Sequence, residues 1–312
     1  MKNTVSIREL VEFANLEVLA GNEGLDHLVK DDEITSPGVE LAGFYNYFYA
    51  DRVVIFGSKE ANFLYSMPDD VERERAETLF KKHPCAILFS VNVYIANYFY
   101  EFGHLYNVPI LRSKLRTTPL TSKIFGYLRH RLADRICVHG VLMDINGMGT
   151  LIKGKSGIGK SEIALELIKR GHQIIADDLV EVYEREVGTV VGTAPETIKG
   201  FLEVRGVGII NVIETFGVAA YREDKTIRLV IELEEWNEET QYDRLGLVTL
   251  NEEYFHTELP MLKIPVKTGR NMAVVIESAA MNEKLKFLGY NSALNLTKRV
   301  NELARRSDSD DL

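Results

Sequence analysis

The eight residues Gly154-Lys155-Ser156-Gly157-Ile158-Gly159-Lys160-Ser161 match G-x-x-x-x-G-K-[ST] in full. The pattern constrains the fold strongly, because it works only between a strand and a helix. Its glycines let backbone N–H groups converge on phosphate oxygens, and the N-terminus of the following helix adds partial positive charge. Lys160 can then reach β- and γ-phosphate oxygens, and Ser161 is placed to hold Mg²⁺. The flanks agree with this. Residues 150–154 (TLIKG) read as a strand entering the loop. Residues 161–171 read as a helix with Ile163, Leu165, Leu167 and Ile168 apolar, Lys169-Arg170 in the last turn and Gly171 as its stop. The expected ligand is a nucleoside triphosphate.

Residues 172–178 (HQIIADD) read as a buried strand ending in two carboxylates. Asp177 and Asp178 therefore fall at the carboxyl end of a strand beside the loop, where α/β folds bind ligands. Successive strand side chains point to opposite faces, so one can serve Mg²⁺ while the other meets the acceptor. His139 lies upstream in CVHGVLMDING, where spacing alone leaves a core histidine and a catalytic one both open. Asp144-Ile145-Asn146-Gly147 matches the D-x-x-G of GTPases only formally: it precedes the loop, and N-K-x-D occurs nowhere. Residues 202–211 (LEVRGVGIIN) combine Glu203, Arg205 and two glycines before an apolar run, a pattern of a ligand loop or equally of a bulged strand entrance. Tyr242-Asp243-Arg244 and residues 265–270 read as phosphate-contacting loops or as solvated turns.

At 312 residues the chain is long enough for two domains of roughly 150 residues each. The first half carries short apolar runs at 52–57, 85–90 and 108–112, alternating with helical patterns at 69–82 and 92–102. That alternation predicts a parallel or mixed sheet covered by helices, after an opening helix with a capping box at Ser6-Ile7-Arg8-Glu9. Thr118-Pro119 reads as a turn leading into a connecting helix, with the domain boundary near residue 130. Aromatic clusters at 44–49 and 94–100 read as core and interface fillers rather than a base-stacking platform. With 37 Lys+Arg against 46 Asp+Glu, the net charge of −9 disfavours a duplex-coating protein. Cys85 and Cys137 lie far apart without a CxxC, as expected of a reducing cytoplasm. The charged start and the absence of a 20-residue apolar run predict neither an export signal nor a membrane span. The terminal SDSDDL reads as a mobile acidic tail.

Taken together, VHG at 138–140, GKSGIGKSE at 154–162, ADD at 176–178, LEVRGVGIIN at 202–211 and PVKTGRN at 265–271 resemble the bacterial HPr kinase/phosphorylase family along the whole chain. The resemblance implies an N-terminal α/β domain, 1–130, with a regulatory or assembly role. It implies a C-terminal P-loop kinase domain, 131–312, similar to phosphoenolpyruvate carboxykinase. The implied activity is phosphorylation of a regulatory serine on the phosphocarrier HPr by ATP or pyrophosphate, and phosphorolysis of phosphoseryl-HPr by inorganic phosphate to give pyrophosphate. Such an enzyme controls carbon catabolite repression and sugar uptake. By motif position, His139, Lys160, Asp178 and Arg244 correspond to the catalytic residues and Ser161 and Glu203 to the Mg²⁺ ligands. Gly154, Lys155, Ser156, Gly157, Ile158, Gly159, Lys160 and Ser161 correspond to the nucleotide loop, and 265–270 to a segment tied to dephosphorylation. A cytoplasmic homohexamer with fructose 1,6-bisphosphate as activator is also implied. Lys155 departs from an acidic position of the family, and Lys267-Thr268 from Arg-Pro, which bears on donor preference and on the balance of the two reactions. Proton exchange at Asp178 in both directions implies partial burial and a pKa raised by Asp177. A metabolite kinase or a nucleotide-driven switch without phosphoryl transfer would use the same loop.

Overall fold

The computed structural model describes residues 3–237, 250–267 and 269–310. It divides into two compact units, Met1–Asp134 and Arg135–Leu312. The division falls beyond residue 130 because helix Thr117–Leu132 buries Leu120, Ile124 and Leu128 in the core of the first unit. Among the described residues no helix is long and apolar enough to cross a membrane.

In the first unit, strands Ile34–Thr35, Val53–Phe56, Ala86–Phe89 and Ile110–Arg112 run parallel in that spatial order, and Glu17–Ala20 joins Ile110–Arg112 antiparallel. The two central strands are buried along their whole length, which is why they read as unbroken apolar runs. Helices Asp69–Lys81 and Asn97–Leu105 cover one face, setting Leu79, Phe80, Phe99 and Phe102 against Val54, Phe56, Ile87 and Phe89. Helices Ile7–Ala14 and Thr117–Leu132 cover the other, against Val53, Ile55, Ala86 and Leu88. Helix Ile7–Ala14 starts at the expected capping box: Glu9 N–H donates to Ser6 Oγ at 3.2 Å and Ser6 N–H to Glu9 Oε2 at 2.9 Å. Thr118-Pro119 is not a preceding turn but lies inside the first turn of its helix. A proline ring is tolerated there because the N–H it lacks would have no helical acceptor. The aromatics at 44–49 are only partly core. Tyr45 and Phe48 pack inward, while Phe44, Tyr47 and Tyr49 stand exposed on irregular backbone.

The second unit is built on a sheet of nine strands among the described residues, in the order Gln173–Ala176, Val141–Ile145, Met148–Gly154, Asp224–Glu235, Thr189–Thr193, Leu179–Glu186 and Arg135–His139. Thr257–Val266 branches from Asp224–Glu235 in parallel, and Leu250–Tyr254 pairs antiparallel with Thr257–Val266. Asn146 and Gly147 form the two-residue connection between Val141–Ile145 and Met148–Gly154, with φ of 52° and 87°. Both values are those an Asn-Gly hairpin turn requires, so the D-x-x-G match belongs to a turn. Because Val141–Ile145 is antiparallel to both of its neighbours, Met148–Gly154 and Gln173–Ala176 run in the same direction. Their carboxyl ends, followed by the phosphate loop and by Asp177-Asp178, therefore lie at the same edge of the sheet. Helices Lys160–Lys169 and Met272–Phe287 cover one face with Ile163, Leu167, Met272 and Ile276. Each such side chain contributes about 1.5–3 kcal/mol when fully buried. Leu142, Leu151, Val180, Val182 and Leu259 fill the other face. Residues 307–310 of the acidic terminus continue helix Ser292–Asp310 rather than forming a separate tail.

Where Met148–Gly154 meets Asp224–Glu235 the register shifts between Gly149 and Thr150. A Cβ at Gly149 would lie 2.0 Å from the carbonyl oxygen of Thr226. Gly149→Ala is expected to destabilise the second unit by about 2–3 kcal/mol, as overpacking against fixed backbone does. Thermal unfolding followed by circular dichroism measures this, and an unchanged transition would mean that the strands separate at little cost.

Candidate functional site

The loop leaves strand Met148–Gly154 and enters helix Lys160–Lys169 through Gly157 and Gly159, at φ of 84° and 99°. No side chain caps that helix, so its first N–H groups remain available to an anion. Lys160 is 7% exposed. Its ammonium donates to the carbonyls of Gly154 at 2.9 Å and Lys155 at 3.1 Å, and stands 3.2 Å from Nε2 of His139. An ammonium has three donors and no acceptor, so Nε2 accepts and the His139 proton resides on Nδ1. That nitrogen is 3.2 Å from Oδ1 of Asp178. The result is a continuous path of carboxylate, imidazole and ammonium. Burial pushes the Lys160 pKa below its ordinary value, opposed by the charges of Asp178 and Asp177.

Strand pairing brings His139 to Asp178. Arg135–His139 runs antiparallel to Leu179–Glu186 with His139 opposite Leu179, and the N–H of Gly140 donates to the Asp178 carbonyl at 3.1 Å. Asp178 has φ of 65°, and the N–H of Leu179 bonds across it to the Asp177 carbonyl at 2.8 Å. This is a γ-turn of the sparsely populated, strained hand, which aims the two carboxylates apart.

The two aspartates do differ, but not as the sequence implies. Asp178 is largely open, its side chain 70% exposed, so the expected partial burial does not hold there. Burial falls instead on Asp177, 5% exposed, and pushes its carboxyl above the usual range despite the donors that favour the ionised form. Those donors are the Ser161 hydroxyl, at 3.0 and 3.1 Å to the two oxygens, and the Glu203 N–H at 3.1 Å. The reason is topological: the γ-turn tucks Asp177 under the loop helix and turns Asp178 outward beside His139.

Residues 202–211 form a β-hairpin, Phe201–Val204 paired with Gly208–Asn211 around a tight turn with Gly206 at φ of 81°, rather than a bulged strand entrance. It carries Glu203 and Arg205 to the same cleft as Ser161, Lys160 and the two aspartates. The Arg205 guanidinium lies against the loop, 3.0 Å from where a Cβ on Gly157 would stand. Lys155 contributes its carbonyl to Lys160. Arg270 and Asn271 lie beside Gly159 and Glu162, so the segment at 265–271 reaches the loop helix. Arg244, with Tyr242 and Asp243, lies outside the described residues, as does Thr268. Asp177 and Arg205, whose parts the sequence leaves open, both line the cleft: Asp177 lies behind Ser161, and Arg205 comes from a hairpin whose geometry its pattern does not specify.

Comparison with known proteins places this architecture. The family described as HPr Serine kinase N terminus matches residues 5–128, and HPr Serine kinase C-terminal domain matches residues 130–300. The chain is 41% identical over 307 residues to the HPr kinase/phosphorylase of Bacillus subtilis (strain 168), covering 98% of this chain and 99% of that one. The chain belongs to the HPr kinase/phosphorylase family. The HPr kinase/phosphorylase of Brevibacillus brevis (strain 47 / JCM 6285 / NBRC 100599) is 42% identical over 306 residues, covering 98% of each chain. The solved structure of the Hpr(Ser) kinase/phosphatase from Coxiella burnetii aligns with a TM-score of 0.47 at 32% identity, covering 52% of this chain and 98% of that one. An HPr kinase family member with this loop has a nucleotide as its substrate.

Two outcomes follow for nucleotide binding. Gly157→Ala forces a side chain onto a left-handed backbone against Arg205. The free loop relieves this strain of about 1–2 kcal/mol by leaving the conformation, and restoring it around the phosphates costs roughly tenfold in ATP affinity, measured by calorimetry, with the fold retained. The lowered Lys160 pKa means that its charge is lost at a lower pH than that of an ordinary lysine. ATP affinity should therefore decline as pH rises towards 10.5, with proton uptake on binding in that range, and a flat profile would contradict the lowered pKa.

Proposed function

We propose that the chain is a bifunctional HPr kinase/phosphorylase. It phosphorylates a regulatory serine of HPr with ATP or pyrophosphate, and it returns phosphoseryl-HPr to HPr and pyrophosphate by phosphorolysis. The observation that carries this reading is the linked set Lys160, His139 and Asp178 at the phosphate loop. It joins a buried cation to an exposed carboxylate in the cleft that the loop lines. Family membership and near full-length similarity to proteins named HPr kinase/phosphorylase support the acceptor.

In the forward direction the outward-facing Asp178 carboxylate accepts the serine proton as the hydroxyl oxygen attacks the terminal phosphorus. Lys160 neutralises charge developing on the transferred group, and the uncapped helix N-terminus holds the remaining phosphates. His139 positions Asp178 through Nδ1 and Lys160 through Nε2. In the reverse direction protonated Asp178 donates to the departing serine oxygen as inorganic phosphate attacks phosphorus, so the same group serves both directions. Exposure of Asp178 suits a protein substrate, whose serine must arrive from solvent. Arg244 is retained as a further catalytic residue by motif position.

The cleft also fits Mg²⁺. Asp177 is a buried carboxylate with no cation at ion-pair distance among the described residues, joined by the Ser161 hydroxyl and by Glu203 in the same cleft. Hard oxygen donors of this kind, few in number and completed by substrate phosphates and water, are what Mg²⁺ takes. Ser161 and Glu203 would hold it with Asp177 behind the serine. When bound, the ion would neutralise phosphate charge.

The wider assignments rest on the family resemblance: a cytoplasmic homohexamer, activation by fructose 1,6-bisphosphate, inhibition by inorganic phosphate, a place in carbon catabolite repression and sugar uptake, and a regulatory or assembly role for the first unit. The deciding experiment is transfer of label from γ-³²P ATP with Mg²⁺ to purified HPr. Label is expected on an HPr serine, absent with Lys160→Ala. With Asp178→Asn, transfer should fall about 10²–10⁴-fold while ATP binding persists, the range for loss of a general base. ATP binding without any transfer to HPr would refute the reading in favour of a metabolite kinase or a nucleotide switch.

A further inference from the structure

Two opposite charges of the first unit face each other without pairing. Glu17 begins strand Glu17–Ala20, Arg112 ends strand Ile110–Arg112, and the antiparallel register sets the two directly opposite. Residues opposite in such a pair share a face of the sheet, with Cβ atoms about 4.5–5.5 Å apart, close enough for a carboxylate and a guanidinium to close an ion pair. They do not close one. Among the described residues the side chains of Glu17, Arg112 and nearby Lys114 have no ion pair or hydrogen bond, and all three line one cleft of ≈ 730 Å³.

The topology explains why a cleft lies there. The connection leaving strand Ala86–Phe89 carries helix Asn97–Leu105 over one face of the sheet, and the connection leaving Ile110–Arg112 carries helix Thr117–Leu132 over the other. Where neighbouring parallel strands send their connections to opposite faces, the chain parts at their carboxyl ends, and open α/β sheets bind small ligands at such points. The volume is in the range of about 300–1,000 Å³ typical of small-molecule sites. Arg112 is half-buried, while Glu17 and Lys114 are exposed. Between the two cations Ser113 is buried; its Oγ accepts the Leu115 N–H at 3.0 Å, which leaves its own hydroxyl proton to give. Buried Leu16 and Val93 add an apolar portion to the lining.

We propose that this cleft binds an acidic α-amino acid, a ligand with two carboxylates and one ammonium. The unpaired charges of the lining are the converse, two cations and one carboxylate. An α-amino acid carries its carboxylate and ammonium on one carbon, so it can bridge the gap between Arg112 and Glu17. The guanidinium takes the α-carboxylate through two parallel N–H bonds, and Glu17 accepts from the ammonium. Lys114 meets the side-chain carboxylate as a point charge, Ser113 donates its free proton, and the methylenes lie against Leu16 and Val93. A simple anion would satisfy Arg112 but stand against the Glu17 carboxylate, and a simple cation would stand against Arg112 and Lys114. Like charges brought together in this way are what excludes such ligands. The site is built entirely from the first unit and does not depend on the assignment of the phosphate loop.

The test is calorimetry on the intact chain without nucleotide or Mg²⁺. The probe is L-glutamate, compared with glutarate, which lacks the ammonium, and with L-glutamine, which lacks the second carboxylate. Wild type and Lys160→Ala should bind glutamate alike, at least tenfold more tightly than glutarate and several-fold more tightly than glutamine. Glu17→Gln should weaken glutamate about tenfold and leave glutarate no weaker. Lys114→Gln should bring glutamate down to the affinity of glutamine and leave glutamine unchanged. Both substitutions are at exposed side chains, so the folded core is retained. Arg112→Gln should weaken all three ligands. The proposal is overturned if wild type does not bind glutamate, if glutarate binds as well as glutamate, or if Glu17→Gln weakens both equally. It is equally overturned if Lys160→Ala abolishes binding, because the probe would then occupy the phosphate loop.

Discussion

A buried ammonium must have all of its protons accepted, and in the second unit the acceptors of Lys160 come from three places. Two are carbonyls of the loop itself and the third is His139, from a strand at the far end of the sheet order. This requirement ties the loop conformation to the sheet. It also sets the tautomer of His139 and, through Nδ1, the placement of Asp178. Leaving one of those protons unpaired in a buried setting would cost about 1–3 kcal/mol or more. The geometry that receives phosphates is therefore also the geometry that positions the proton acceptor.

The paired aspartates show how a single turn divides labour between adjacent identical residues. The γ-turn at Asp178 holds a left-handed backbone that an ordinary residue avoids. Its consequence is one carboxylate kept from water and bonded to Ser161, and another standing in the open beside an imidazole. Strain of this kind persists only where surrounding contacts outweigh it. Here the strand pairing at Leu179 and His139 and the Gly140 N–H supply those contacts.

Much of this organisation was legible in the linear chain, and the reasons are local. The phosphate loop, its strand and its helix were readable because glycine spacing, apolar periodicity and the Gly171 stop all act within a few residues. The parallel strands of the first unit were readable because burial on both faces leaves them uniformly apolar. Weaker signals gave way where a distant partner decides. Thr118-Pro119 entered its helix instead of preceding it, and the aromatics at 44–49 split between core and solvent. The 202–211 segment became a hairpin whose Arg205 reaches the loop, a contact set by packing rather than by composition.

By itself, then, the sequence determined the class of fold, the family and the identity of the phosphate loop, because these depend on residue types at short, fixed spacings. Only the tertiary structure decided which aspartate is buried, which nitrogen of His139 carries the proton and that Asp177 and Arg205 belong to the cleft. Those properties depend on strands far apart in the chain meeting at one edge of the sheet. Burial and hydrogen-bond direction are properties of that meeting, and no window of adjacent residues encodes them.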